Sequence, residues 1–268
     1  MAAESRGTET ATRVADVLLL FIDASDSLGV SAIARSLGLS KTVVHRTLSS
    51  LVERGFLVSE PRARGYLLGP SAASLGARAL RESGLRSAAL PVMRRLQDAT
   101  GETVTVSAKV PNGRVYLDQV ESNREIKMTV ELGRRFPLHA GSSSTCILAF
   151  LPASESSEYL NGHCALEALT TRTITGPEEL RARVASVRAS GISQSEGERQ
   201  QGAGSVAAPV FDVDGQVVGS ISVCGPGYRM HEQARVAMIP DLRKAADEVS
   251  RALGWMGGLP KWFPEDVR

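Results

Sequence analysis

No stretch of the 268 residues approaches the roughly 18 to 20 consecutive apolar side chains that cross a bilayer. The first ten residues, MAAESRGTET, hold no apolar signal core, so a cytoplasmic protein with no membrane partner is expected. Cysteine is scarce. Cys146, Cys164 and Cys224 are far apart and odd in number, which fits a reducing compartment and argues against a disulfide framework. His45, His139, His163 and His231 show no H-x-x-H or H-x-x-x-H spacing, and His231-Glu232 lacks the second His of a zincin helix; neither a metal site nor a cofactor is expected. Aromatic residues make up 4% of the chain, while the apolar fraction is an ordinary 43%, which marks a globular protein long enough for two modest domains.

What the sequence does have is an uneven charge. The net charge is +2, yet residues 35–64 hold six basic against two acidic side chains, residues 70–100 five against two, and residues 101–268 18 against 20. A basic front on a faintly acidic rear is the pattern of a nucleic-acid-binding module joined to something else, although a solvated charged face gives the same sum.

Local pattern decides between these. Val14, Val17, Leu18 and Phe21 repeat at helical spacing behind the cap candidates Thr10 and Thr12, predicting a helix that ends between Asp26 and Gly29. Ser31 is expected to cap a second helix with Ile33 and Leu37 inward, stopped by Gly38. Ser40 caps a third, whose core stripe is Val44, Leu48 and Leu51; at 100° per residue Thr42, Arg46 and Ser49 then face outward, with Lys41 and His45 on the flank. Phe56–Ser59 and Tyr66–Leu68 read as a hairpin around a turn that carries Arg62 and Arg64. Helix, turn, helix and a basic-tipped wing is the order that places donors in a major groove. Ser40, Lys41, Thr42, His45, Arg46, Ser49, Arg62 and Arg64 are the candidate DNA-binding residues, able to pair with phosphate or base edges.

Residues 13–69 resemble the winged helix-turn-helix of the IclR family of bacterial transcriptional regulators. The family pattern is met by Gly38, Leu39, Lys41, Thr42, Val43, Arg46, Leu48, Leu51, Gly55 and Phe56. The resemblance continues through Thr100–Thr103, Gly133 with Pro137-Leu138-His139, Gly197-Glu198, Ala207–Asp212, Gly215 and Ser222–Pro226, and so covers nearly the whole chain. It implies an α+β protein with five parts. These are a disordered tail 1–9, the winged helix-turn-helix 10–70, a linker helix 71–88 that joins a dimer contact, a GAF-like effector domain 89–256 and a tail 257–268. It also implies binding to double-stranded DNA at a palindromic operator, a small organic effector that is often an acid, and assembly as a homodimer or a tetramer.

In the rear part the periodicity switches to strands at Val104–Val110, Val115–Val120, Ile126–Val130, Val206–Phe211 and Val217–Val223. Helices are predicted before them at Pro70–Ser83 and Leu85–Thr100, between them at Ser143–Leu151, Ser154–Asn161 and Glu178–Ala189, and finally at Met230–Gly254. This order suggests an antiparallel sheet flanked by helices. Gly141–Ser144 precede an apolar helix, where free N–H groups and hydroxyls would converge on an anion. Ser220, Ser222 and Cys224 share one strand face, and Met128, Leu132 and Phe136 are candidate apolar walls. By resemblance, Ser142, Ser205, Ser222 and Cys224 hold the effector positions, with Ser195 as a fifth and Ser143 beside them. The chain departs from the family at Ser144-Thr145, where many relatives have Gly-Lys, and at Cys224, where Ser is frequent.

Two other readings stay open here: a sensor acting through protein contacts, or an enzyme on a small acid. Enzymatic motifs give the second little support. Gly202–Ala207 formally match a dinucleotide loop but lead into a strand instead of a helix. His139 and Cys146 have no third partner for a nucleophile.

Overall fold

A computed structural model describes residues 8–22, 24, 26–60, 65–163 and 166–257. They fall into two units divided after Glu82. In the first, α1 (Glu9–Leu20), α2 (Val30–Leu37) and α3 (Lys41–Glu53) are followed by the hairpin β1 (Leu57–Glu60) and β2 (Gly65–Leu68), then α4 (Pro70–Glu82). Val17, Phe21, Ile33, Val44, Leu48, Leu51 and Leu57 form its core, one apolar stripe from each helix closing on the base of the hairpin. Gly38 adopts φ 63 between α2 and α3, a left-handed turn that a side chain would strain.

Several local expectations are corrected. Thr8, not Thr10 or Thr12, caps α1, by accepting from the Ala11 N–H; the helix therefore begins inside the predicted tail and ends at Leu20, well before Asp26. Ser31 is not a cap: α2 starts at Val30 behind Gly29, which has no side chain to bond with. Leu28 instead pairs with Tyr66 across an isolated bridge, so the chain between α1 and α2 is tied to the wing. The segment 61–64, with Arg62 and Arg64, lies outside the described residues. Helix α4 ends at Glu82 and a new helix opens at Gly84 behind the Ser83 cap, so residues 71–88 are not one continuous helix.

The second unit contains α5 (Gly84–Thr100), β3 (Thr103–Val110), β4 (Gly113–Val120), β5 (Arg135–Phe136), α6 (Ser142–Phe150) and α7 (Ala153–Glu158). A π-helical turn, Tyr159–His163, leads to α8 (Pro177–Ser190), β6 (Ser193–Glu196), β7 (Ala203–Phe211), β8 (Val217–Pro226) and α9 (Glu232–Ala252). The strands form one antiparallel sheet in the order β5-β4-β3-β8-β7-β6.

Alternation gives this sheet two unlike faces. Val104, Val106, Val206, Ala208, Val210, Ile221 and Val223 face one way and pack with Leu85, Ala89, Met93, Leu96 and Leu242, Ala246, Val249 of α5 and α9. Thr103, Thr105, Ser107, Ser193, Ser195, Ser205, Ser220, Ser222 and Cys224 face the other way. Register stacks them across strands: Ser195, Ser205, Cys224 and Thr103 in one row, Ser222 and Thr105 in the next, Ser220 and Ser107 in a third. Gly219 approaches the Ser107 carbonyl so closely that a Cβ would lie 2.1 Å from its oxygen.

The predicted strand Ile126–Val130 is absent. Side chains hold this segment instead: Thr103 Oγ1 donates to the Met128 carbonyl at 2.7 Å, and the Gln119 amide brackets Val130 at 2.8 and 3.2 Å. The strand next to β4 is β5, at Arg135–Phe136.

Candidate functional site

The outward face of α3 is built as the periodicity requires. Ser40 caps the helix by accepting from the Val43 N–H at 3.3 Å. Ser40, Lys41, Thr42, His45, Arg46 and Ser49 are all exposed, while Val44, Leu48 and Leu51 are buried. Among the described residues the side chains of Lys41 and Arg46 have no hydrogen-bond or ion-pair partner in the protein; His45 touches Ser49 at 3.5 Å. Arg46 borders a shallow groove with Thr10 and Arg13 of α1. Unpaired donors on a capped, exposed helix are free to meet an external anion.

In the second unit α6 lies across the hydroxyl-bearing sheet face, and all nine of its residues are buried. Its serines are bonded to the sheet: Ser142 Oγ donates to Ser205 Oγ at 2.7 Å, and Ser143 Oγ to Ser222 Oγ at 3.0 Å. Ser222 also meets Thr105 Oγ1 at 2.7 Å, and Thr145 meets Ser193 at 2.6 Å. Beside this network is a cavity of about 30 Å³, lined by Ser142, Ser143, Ser195, Ser205, Ser222, Cys224 and Met128 together with Arg114, Tyr116, Glu198 and Arg199. That is space for about two water molecules.

Seven of the eight effector candidates thus line one cavity. Leu132 does not: it is 45% exposed beside the turn at Gly133, whose N–H donates to the Tyr116 carbonyl. Phe136 packs edge-on against Tyr116, 5.5 Å between centroids, just behind the cavity wall. The helix start is also not an empty anion site. The Gly141 N–H donates to Glu198 Oε2 at 3.0 Å, so a protein carboxylate already meets the positive end of α6.

Sequence reasoning missed Arg114, Tyr116, Glu198 and Arg199. Arg114 is 1% exposed. Its Nε donates to Ser144 Oγ at 2.8 Å, Nη1 to Ser107 Oγ at 3.0 Å and Nη2 to Tyr116 Oη at 2.9 Å. All three acceptors are neutral hydroxyls. Burial pulls this guanidinium below its usual pKa; the Tyr116 hydroxyl opposes that shift and the positive Arg199 adds to it. The available signal was position: Arg114 and Tyr116 alternate on one face of a strand whose other face, through Leu117, joins the apolar core. Burial also raises the Cys224 thiol to about 11 and raises Cys146 further. Cys146 sits inside α6, and His139 is occupied by Tyr159 Oη at 3.1 Å and the Glu167 carbonyl at 2.9 Å. His231 caps α9. Gly202 leads into β7, with no helix after it to hold a dinucleotide phosphate.

No described helix is long and apolar enough to cross a membrane, and no cluster of potential metal ligands occurs among the described residues. A winged helix-turn-helix with an exposed donor helix, followed in the chain by an α+β unit holding a hydroxyl-lined cavity, defines a class: DNA-binding regulators with a ligand-binding domain. Comparison with known proteins gives the family. The IclR helix-turn-helix domain matches residues 10–61, and the bacterial transcriptional regulator IclR C-terminal domain matches residues 77–251. The chain is 33% identical over 249 residues to the HTH-type transcriptional regulator BhcR of Paracoccus denitrificans, covering 93% of this chain and 88% of that one. A putative IclR regulator from Silicibacter superposes with TM-score 0.82 at 31% identity, covering 95% of this chain and 99% of the other. An IclR homologue from Microbacterium hydrocarbonoxydans, crystallised with 4-hydroxybenzoate, gives TM-score 0.68 at 26% identity, with 91% and 99% covered. The chain belongs to the IclR family: it is a DNA-binding transcriptional regulator with an effector-binding C-terminal domain.

Proposed function

We propose that this regulator binds a roughly palindromic operator as a homodimer, with α3 of each protomer in successive major grooves about 34 Å or a multiple apart, and that a small organic acid in the C-terminal cavity changes that binding. The observation that carries the DNA half is the row of exposed polar side chains on α3, with the Lys41 and Arg46 charges unpaired among the described residues. Thr42, His45 and Ser49 lie along the helix as base-edge readers. Arg46, beside the α1 groove, suits phosphate together with Lys41 and Ser40, and Arg62 and Arg64, between β1 and β2 in sequence, suit phosphate or a narrow minor groove. Helix α4 is amphipathic, with Leu75 55% exposed and no buried residue in its own chain, which supports a helix-to-helix contact between two copies; a dimer of dimers is compatible with it.

The effector half rests on Ser142, Ser143, Ser195, Ser205, Ser222, Cys224 and Met128 sharing one cavity. Leu132 is left out. The 4-hydroxybenzoate in the Microbacterium homologue supports an organic acid as the ligand class.

Fluorescence anisotropy tests the DNA half, using duplexes selected from a random library by the full-length protein. If six or more phosphates are engaged per dimer, affinity falls by about 10³ between 50 and 200 mM salt, and Arg46→Ala lowers the log–log slope by about 2 per dimer. Binding that is indifferent to salt, or to Arg46→Ala, would overturn the assignment.

A further inference from the structure

The charges around the cavity do not balance. Three ionisable side chains other than Tyr116 and Cys224 line it: Arg114, Glu198 and Arg199. Glu198 is committed elsewhere. Its Oε2 accepts from the Gly141 N–H, and its Oε1 accepts from Arg183 Nη1 at 3.1 Å. Arg183 is itself anchored on the Gln194 carbonyl at 2.7 Å. The Glu198–Arg183 pair is neutral as a unit, which leaves two guanidiniums without a carboxylate.

Arg114 spends one N–H of each nitrogen on Ser144, Ser107 and Tyr116. A guanidinium has five N–H donors, so one N–H remains on each terminal nitrogen to meet a carboxylate. Arg199 has no hydrogen bond or ion pair among the described residues. Its guanidinium rests on the faces of Phe136 and Tyr116, 5.1 and 5.7 Å from the ring centroids, and Arg114 lies 5.1 and 4.1 Å from the same two rings. Two cations therefore flank one pair of rings, and the charge of Arg199 adds to the cost of keeping the buried Arg114 charged.

Taking the cavity as the effector site, as proposed above, we infer that its ligand is a short dianion of the dicarboxylate class: one carboxylate lies on the Arg114 fork and the second draws Arg199 off the aromatic faces. The tight cavity agrees with this: it offers about 30 Å³ between its lining groups, and Arg199 is a lining group whose release widens it without breaking a hydrogen bond. The hydroxyls of Ser142 and Ser205 are then placed to donate to carboxylate oxygens that the guanidiniums leave free.

The test is calorimetric titration of the full-length protein with malonate, succinate and glutarate, each against its monoamide, with sulfate as an inorganic dianion. One dicarboxylate should bind about 10- to 100-fold more tightly than its monoamide, the range for a second hydrogen-bonded charge. Arg199→Gln should abolish the discrimination, so that diacid and monoamide bind this variant with the same affinity. Arg114→Lys, which keeps the charge but not the fork, should weaken both; circular dichroism checks that each variant is folded. Equal binding of diacid and monoamide, insensitivity to Arg199→Gln, sulfate matching the best diacid, or no binding at 10 mM (on the order of the weakest affinities worth converting to free energy) each overturns the inference. The reading of the cavity fails separately, if any ligand that alters operator binding is unaffected by Ser222→Ala.

Discussion

The two faces of the six-stranded sheet are made from the same strands, yet they do opposite work. On β8, Ile221 and Val223 are fully buried against α5 and α9, while Ser220, Ser222 and Cys224, their immediate neighbours, face α6. The apolar face gains from each methylene withdrawn from water and has no use for an outside molecule. The hydroxyl face is held mainly by hydrogen bonds between hydroxyls, each exchanged for water at small net gain, with the buried Arg114 donating to Ser107 among them. A sheet face built this way contributes little to stability per residue. It holds polar groups in fixed geometry beside a cavity, which suits recognition.

That contrast can be broken from either side. The largest effect is expected on the apolar face: Ile221→Ala should cost about 2–5 kcal/mol in urea unfolding, without changing how the protein discriminates between ligands. On the opposite face, Ser222→Ala strands the hydroxyls of Thr105 and Ser143, for about 1–2 kcal/mol; its main consequence is loss of effector response, read as operator affinity with and without ligand. A third change lies outside the sheet. Ser40→Ala removes the cap of α3 and should cost about 1 kcal/mol, with a matching drop in DNA affinity as the first turn frays.

The smallest effect is chemical. Burial disfavours the charged thiolate and so raises Cys224 to about 11. Its alkylation by iodoacetamide, followed on the Cys224 peptide by mass spectrometry, should still be climbing about tenfold per pH unit between pH 7 and about 9.5, where an ordinary thiol is levelling off. A plateau near pH 9 would contradict the shielding of this thiol.

The architecture was legible wherever one period dominated. Val44, Leu48 and Leu51 named the buried side of α3, and the hairpins around Asn112-Gly113 and Asp214-Gly215 announced four strands. β6 escaped because its residues, Ser193–Glu196, are polar throughout: its inward face meets hydroxyls, so no apolar alternation marks it. Ile126–Val130 has strand-forming residues, but their backbone is taken by Thr103 and Gln119 side chains that a linear reading does not bring near. The serines of the candidate site were found through the family resemblance and strand parity. Arg114 was not, since a charged residue on a strand reads as solvent-facing until the partner strands and α6 close over it.

The central claim is that adjacent residues of β8 divide stability from recognition. Paired thermal melts of Ile221→Ala and Ser222→Ala, each with and without the tightest-binding acid from a screened panel, test it most directly. The account predicts a crossing: Ile221→Ala lowers Tm more and keeps the ligand-induced shift, whereas Ser222→Ala lowers Tm less and loses it. Two variants that keep or lose the shift together would contradict it.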